Sequence, residues 1–314
     1  MGLRPSLTRW ICSFLTDRKQ RVLYKGVHSD WSVATCGLPQ GTVLGPLIFL
    51  AIINNVSVDA LAKRWKFVDD LNLAESRNVN ATTCLQTDLD NLDTWTKGRK
   101  MKLNPKKCKA IHFYFTKVAP TPPTLYIAGE PLNEVKVVKL LGLFVQADLG
   151  WETQVDHVVK SGNRKLFLLR QLRRLNLSRE DLLTCYKTMV RPACEYAVPA
   201  WHPGITRKQQ ARIETIQKRA CRTILGPAYS SYTEACQVLN LPTLDSRRRQ
   251  LCFNFAKRLL HSETLRDWLP PYRGDISGRS TRSSQLLDII KTRTDRYKRS
   301  PIPYMTNLLN ELYT

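Results

Sequence analysis

Acidic residues are scarce in this chain: 26 Asp and Glu stand against 49 Lys and Arg over 314 residues, a formal net charge of +23. The shortage is concentrated in the second half, where residues 160–300 hold 29 basic and 11 acidic side chains, a difference of +18. A surface so poor in carboxylates points to a polyanionic partner, because its field draws phosphates in and releases their counterions. Long hydrophobic runs are also missing. The longest apolar stretch, residues 43–56, is too short and too interrupted to cross a bilayer, and the N-terminus lacks the pattern of a signal peptide. Of the nine cysteines no two form a CxxC pair, and no histidine stands at zinc-finger spacing, which excludes the common zinc modules. An odd number of thiols scattered through apolar stretches reads as reduced cysteine in an intracellular protein, not as a disulfide framework. The expectation is a protein of the cytoplasm or nucleus with no membrane partner. Internal repeats are absent.

With 43% hydrophobic residues the chain can bury a sizeable core, and its length leaves room for about two domains. Residues 5–15 carry Leu7, Trp10, Ile11, Phe14 and Leu15 at helical spacing. Two β-like runs, 21–24 and 31–35, are joined by the polar turn 25–30 and predict a hairpin. The Gly/Pro/Gln loop LPQGTVLGP, 38–46, leads into an apolar segment, 47–56, whose length favours a buried helix. Next comes KFVDDLNLA, 66–74, apolar on both sides of two adjacent aspartates, which suggests two strands with Asp69 and Asp70 at the bend. Residues 81–99 put Leu85, Leu89, Leu92 and Trp95 on one helical face. Extended runs follow at 109–115, 125–128 and 135–145. From Trp151 onward the period is helical, over 152–174, 178–196, 207–224 and 244–260. Residues 262–300 are polar, basic and short of large apolar side chains, the composition of a flexible surface segment.

The sharpest chemical feature is the pair Asp69-Asp70. Metal-dependent phosphoryl transfer needs carboxylates that project together from a rigid element, because Mg²⁺ takes few protein oxygens and fills its shell with water and substrate phosphates. A tight hairpin between hydrophobic strands offers that geometry. Two aspartates in a turn can also be ordinary turn chemistry, so the surrounding sequence decides.

LPQGTVLGPLIFLAIINNV followed at short range by KFVDDLNLA resembles two consecutive blocks of reverse transcriptases, and most closely the jockey-like branch of non-LTR retrotransposons. Position by position, Pro39, Gln40 and Gly41 match the loop that in this family opens a helix under template-primer and nucleotide. Phe67, Val68, Asp69 and Asp70 match the Phe-Ala-Asp-Asp bend that binds metal, with Val68 in place of the usual alanine, a mild change for a small apolar strand residue. The resemblance extends upstream through LTRWICSFLTDRKQRVLYKGVHSDWSVATCGLPQG. Downstream it includes LDNLDTWTKGRKMKLNPKKCKAIHF and VKLLGLFV, where Lys139 and Gly142 fall in the block that grips the primer strand. The helical part is similar to the region beyond the polymerase core of the same elements. Its first helix, with Lys160, Arg164, Lys165, Arg170, Arg173 and Arg174, corresponds to a thumb lying on duplex phosphates. The triple Arg247-Arg248-Arg249 is less specific.

What the resemblance implies is an α+β fold: a partial reverse-transcriptase palm of antiparallel strands and helices over residues 1–148, without fingers or the first catalytic strand. A helical, basic, thumb-like region over 149–261 and a flexible basic tail with a short terminal helix over 262–314 would follow. The implied activity is RNA-directed DNA polymerisation, with Mg²⁺ at Asp69 and Asp70 and an RNA template, a DNA primer and their duplex as partners. The family's further metal-binding aspartate belongs to a strand preceding the helix with which this chain begins, and Asp17 and Asp30 fall in later blocks. The chain alone, read as the C-terminal portion of a reverse transcriptase, is therefore expected not to polymerise. The alternative is a non-enzymatic nucleic-acid-binding remnant that uses its basic helices.

Overall fold

The computed structural model describes residues 4–78, 81–115, 121–278 and 282–311. The chain divides into two compact units, Met1–Ala110 with Pro120–Asn133, and Ile111–Ala119 with Glu134–Thr314.

The first unit opens with α1 (Pro5–Leu15), started by a proline in its first turn, where the missing N–H costs nothing. A nested hairpin follows, in which β1 (Lys19–Gln20) pairs with β4 (Ser32–Val33) and β2 (Leu23–Tyr24) with β3 (Val27–His28). The turn is therefore only Lys25-Gly26, both at positive φ, and not the six residues expected, because a two-residue turn with left-handed backbone matches the strand twist. Helix α2 (Leu44–Ile53) starts inside the Gly/Pro loop. It is not the buried helix its apolarity suggests: Leu47 and Leu50 are exposed, Val43 just before it is 84% exposed, and Gly45 is its one buried residue. Strands β5 (Lys63–Phe67) and β6 (Asp70–Ala74) form the aspartate hairpin. Helix α3 (Leu85–Gly98) buries Leu89 and Leu92 against Val56, Leu125 and Ile127, with Leu71 and Leu73 of β6 packed on this cluster. Short strands β7 (Lys109–Ala110), β8 (Tyr126–Ile127), β9 (Glu130–Pro131) and β10 (Asn133–Glu134) follow. Among the described residues every sheet has two strands, so the strands expected of a partial palm occur as separate two-stranded pairs.

The second unit begins with a hairpin, β11 (Val137–Leu140) and β12 (Leu143–Gln146). The single extended run expected over 135–145 is thus broken at Leu141-Gly142, both at positive φ, and this hairpin belongs with the helices instead of ending a domain at residue 148. Helices α4 (Glu152–Arg174), α5 (Arg179–Cys185), α6 (Arg191–Glu195), α7 (Val198–Trp201), α8 (Arg207–Leu225), α9 (Tyr232–Val238) and α10 (Leu244–Leu260) share one core built on Val155, Leu169, Leu182, Trp201, Ile213 and Leu244. Where one helix was expected over 178–196, a π-helical turn, Tyr186–Val190, separates α5 from α6 just before Pro192. Helix α8 starts on a capping box in which Thr206 and Gln209 exchange hydrogen bonds. The basic segment beyond residue 261 folds, contrary to its composition. It holds α11 (Arg273–Ser277), α12 (Asp295–Lys298) and α13 (Pro301–Asn310), and Leu269, Leu287, Met305 and Leu309 are buried with Ala256 and Leu259 of α10. A few well-placed leucines suffice to anchor a polar stretch, which average hydrophobicity does not register.

Candidate active-site hairpin and nucleic-acid interface

Phe67 faces Asp70 across the β5–β6 ladder, so the turn is the pair Val68-Asp69, and Asp70 is the first residue of the return strand. Phe67, Val68, Asp69 and Asp70 are all exposed, and neither aspartate side chain has an ion pair or hydrogen bond among the described residues. Among the described residues four hairpins turn on two residues. Lys25-Gly26, Ala128-Gly129 and Leu141-Gly142 have positive φ at both positions, with glycine second. The Val68-Asp69 turn lacks glycine and puts a β-branched residue at φ +55°. Such a residue pays a steric cost there, so Val68 is not the mild strand replacement that the sequence suggests.

The hairpin is held from behind. Arg64 donates to the Val56 carbonyl at 2.7 Å, and Lys66 Nζ donates to the carbonyls of Asn54 at 2.5 Å and Ile53 at 3.3 Å. These are carbonyls in and just after the last turn of α2, which a helix leaves without internal partners. Partial burial, and then Arg64, lower the Lys66 pKa. Since Arg64 reaches residue 56 and Lys66 reaches 53–54, β5 runs back along α2 in the direction of its N-terminus. At the head of β5, buried Asp88 of α3 accepts the N–H groups of Leu61 and Ala62 at 2.9 and 2.8 Å. Sequence reasoning missed this pin, whose only signal is an acid on an otherwise apolar helix face.

Pro39, Gln40 and Gly41 lie before the other end of α2. Gly41 has φ +75°, Thr42 Oγ1 donates to the Pro39 carbonyl at 3.0 Å, and the Gly45 N–H donates to Thr42 Oγ1 at 3.1 Å. A Cβ on Gly45 would stand 2.5 Å from the Pro39 carbonyl oxygen, so glycine is required for the loop to fold onto the helix start. Gln40 is exposed.

In the second unit Lys139 is exposed on β11, with Nζ 5.7 Å from the centre of the Phe144 ring across the ladder. Gly142 admits Tyr196, whose hydroxyl donates to the Leu141 carbonyl at 2.6 Å, and a Cβ on Gly142 would lie 3.1 Å from that ring. The six basic residues of α4 do not form one face. Lys160, Arg164, Arg170 and Arg174 are exposed, at steps that place them on one side of the helix around Phe167, itself 58% exposed. Lys165 and Arg173 are half-buried, and Arg173 lies over Gly226. Beside the exposed stripe, α4 and α8 enclose a groove of about 390 Å³ lined by Asn163, Leu166, Arg170, Arg219, Arg222 and Thr223. Arg219 donates to Asn163 Oδ1 at 2.9 Å, and Arg222 stacks 5.1 Å from the Tyr229 ring centre. Arg219 and Arg222 escape a reading of single helices because they join the α4 stripe only once the helices pack. The acids of α4, Glu152 and Asp156, are both bound by Arg212. The triple arginine is dispersed: Arg247 pairs with Glu195, Arg249 with Glu311, and Arg248 is fully buried with its Nε donating to His202 Nδ1 at 3.3 Å.

Residues 1–145, which include the carboxylate hairpin, the helix that braces it and the Pro-Gln-Gly loop, match the reverse transcriptase (RNA-dependent DNA polymerase) family. The similarity continues into the helical unit. The chain is 30% identical over 278 residues to a probable RNA-directed DNA polymerase from transposon BS of Drosophila melanogaster, covering 82% of this chain and 30% of that protein. It is 26% identical over 271 residues to the RNA-directed DNA polymerase from mobile element jockey of Drosophila funebris, covering 82% and 29%. With the corresponding protein of transposon X-element of Drosophila melanogaster the identity is 25% over 283 residues, covering 86% and 30%. This chain is reverse-transcriptase sequence of a retrotransposon, of the non-LTR kind, and spans less than a third of the length of these relatives.

Proposed function

We propose that the chain supplies the metal-binding hairpin and the duplex-binding helices of an RNA-directed DNA polymerase acting in the cytoplasm or nucleus. The observation that carries this reading is the exposed, unpartnered pair Asp69-Asp70 on a turn that keeps a strained valine where its three sister turns carry the glycine-bearing pair. The donor set suits Mg²⁺, which is held by one or two carboxylates together with substrate phosphates. Asp69, at the tip, is the more direct ligand, and Asp70 is a second ligand or a support. When bound there the ion neutralises charge on the transferred phosphate. The loop Pro39, Gln40 and Gly41, with Phe67 and Val68, would border the nucleotide and template-primer. The hairpin unit would then correspond to part of a palm and α4 with the helices after it to a thumb, with Lys139 and Gly142 beside the primer strand.

Two ions are needed to clamp both the attacking and the leaving oxygen, and among the described residues no group of three or more His, Cys, Asp or Glu could hold a metal. The isolated chain, given primer, template, nucleotides and Mg²⁺, is therefore expected to show no extension above a variant with Asp69→Ala and Asp70→Ala. Clear extension by the unmutated chain would overturn that expectation. A second reading, nucleic-acid binding without catalysis, is favoured by the fact that the α4–α8 surface is complete within one unit. It demands that the same double variant, supplied with the remainder of a related polymerase, restores extension as well as the unmutated chain does.

A further inference from the structure

The first unit carries a second basic feature that the hairpin does not use. Seven lysines and arginines fall in residues 97–109, KGRKMKLNPKKCK, without one acid. Lys97 is tied to Asp93 at 2.6 Å. Lys100, Lys102, Lys106, Lys107 and Lys109 are exposed and have no ion pair among the described residues. They follow one another along an exposed segment, a row in sequence order, while Leu103 and Cys108, between them, pack inward on the cluster that contains Leu89 and Leu92. At the head of this row is an open cleft of about 540 Å³ walled by Ile52, Thr94, Trp95, Gly98 and Arg99. The Arg99 guanidinium lies 5.0 Å from the centre of the Trp95 ring. The guanidinium is thus seated over the indole at the cleft wall. Where α3 ends, the Met101 N–H returns to the Thr96 carbonyl at 2.9 Å, and Lys100 takes φ +56°. Helices usually place glycine at that position, so a cation is kept there against the backbone's preference.

A flat cation braced by an aromatic ring, a gap beside it and a row of unpaired lysines leading away are the parts that hold single strands: bases stack on aromatic or guanidinium planes while the phosphates follow positive charge. We propose that the Trp95–Arg99 cleft and the lysine row from Lys100 to Lys109 bind single-stranded nucleic acid, with one base stacked in the cleft and the backbone lying along the row. The site differs from the α4–α8 surface, which suits the phosphates of a duplex, and its occupation does not depend on Asp69 or Asp70. Stacking at the cleft ignores base identity, since every base has a flat face.

The test measures binding of the full chain, by fluorescence anisotropy, to a short oligothymidylate and to an abasic oligomer of the same length and charge. The unmutated chain should favour the base-bearing strand roughly 5-fold or more, the lower end of what one stacked base contributes. Arg99→Lys keeps the charge but loses the plane, and should abolish that preference while leaving affinity for the abasic strand nearly unchanged. Lys100→Gly should raise the melting temperature, since glycine suits the helix end, yet weaken both strands. That opposition separates a binding residue from a structural one. A strand preference absent from the unmutated chain, or retained by Arg99→Lys, would refute the stacking site. Unchanged binding in Lys100→Gly and in a Lys102→Ala, Lys106→Ala, Lys107→Ala variant would refute the row.

Discussion

Val68 shows how a single residue can carry tension on behalf of its neighbour. Its φ of +55° places a branched side chain where the sister turns begin Lys-Gly, Ala-Gly and Leu-Gly, and relief is available from glycine, for which left-handed backbone has no steric cost. Val68→Gly is expected to stabilise the hairpin unit by about 1 kcal/mol, read as a rise in its melting temperature with no change in nucleic-acid binding by the helical unit. A fall in stability would show that the valine side chain, half-exposed as it is, contributes more than its backbone costs. The Asp-Asp bend was legible in the sequence because apolar residues flank two acids. The sign of the Val68 backbone was not, since valine is at home in a strand and only the turn's two-residue register puts it elsewhere. Arg247, Arg248 and Arg249 illustrate the same limit. Adjacent in sequence, they meet Glu195, His202 and Glu311, residues 46 to 62 positions away, and nothing local separates the buried one from the other two.

Helices were the most legible elements, because α4, α8 and α10 alternate apolar and charged residues at the helical period. Helix α2 misled for the opposite reason: it is apolar all round, a pattern of burial, yet Leu47 and Leu50 are exposed and most of its other residues are only half-buried. The interface between α4 and α8 could not be read from either helix alone, and it makes a prediction that does. In a salt titration of primer-template binding, each phosphate neutralised on duplex DNA adds about 0.9 to the slope of log affinity against log salt. Replacing Arg219 and Arg222 by alanine should flatten the slope by roughly the same amount as replacing Arg170 and Arg174. Asp69→Ala with Asp70→Ala should leave it nearly unaltered. An unchanged slope after both pairs of arginine substitutions would remove the duplex from this surface.

The junction of α7 and α10 has its own signature. Burial, and then the neighbouring Arg248, lower the His202 pKa from 6.5 to about 4, with Asp245 opposing and Arg249 adding to the shift. The imidazole is therefore neutral in the fold, and its Nδ1 accepts from Arg248. The unfolded chain takes up a proton near pH 6.5 and the folded one only near 4, so acid favours unfolding. This contribution is fully present above about pH 6.5 and is lost between there and about pH 4, amounting to roughly 3 kcal/mol. Urea melts of the intact chain at pH 7 and pH 4.5 should show the loss, and His202→Asn, which keeps an acceptor but does not titrate, should remove most of it. An equal acid loss in that variant would assign the effect to other groups.

At the scale of the whole molecule the two units are unequal. Among the described residues the main cluster of the helical unit contains 23 buried side chains and that of the hairpin unit five, while the hairpin unit leaves Trp10, Tyr24, Val27, Trp31, Val43, Leu61 and Phe67 more than half exposed. Free energies of local opening follow such differences in packing. Native-state hydrogen exchange is expected to find the slowest amides in α8, at Ile213 and Ile216, and distinctly faster ones in the β5–β6 ladder. Equal protection in both would mean that the chain opens as one cooperative body.

The nearness of partners within the tight hairpins also has a consequence for synthesis. Turns of two residues close in about 1–10 μs, so the β5–β6 bend takes shape almost as soon as it leaves the ribosome. Helix α4 has no such autonomy, because Glu152 and Asp156 find Arg212 only 56 to 60 residues later. At about 5–20 residues per second the apolar side of α4 waits several seconds for α8, bare and beside a stripe of arginines, so the nascent helix is a target for chaperones and for any polynucleotide within reach before its own partner exists.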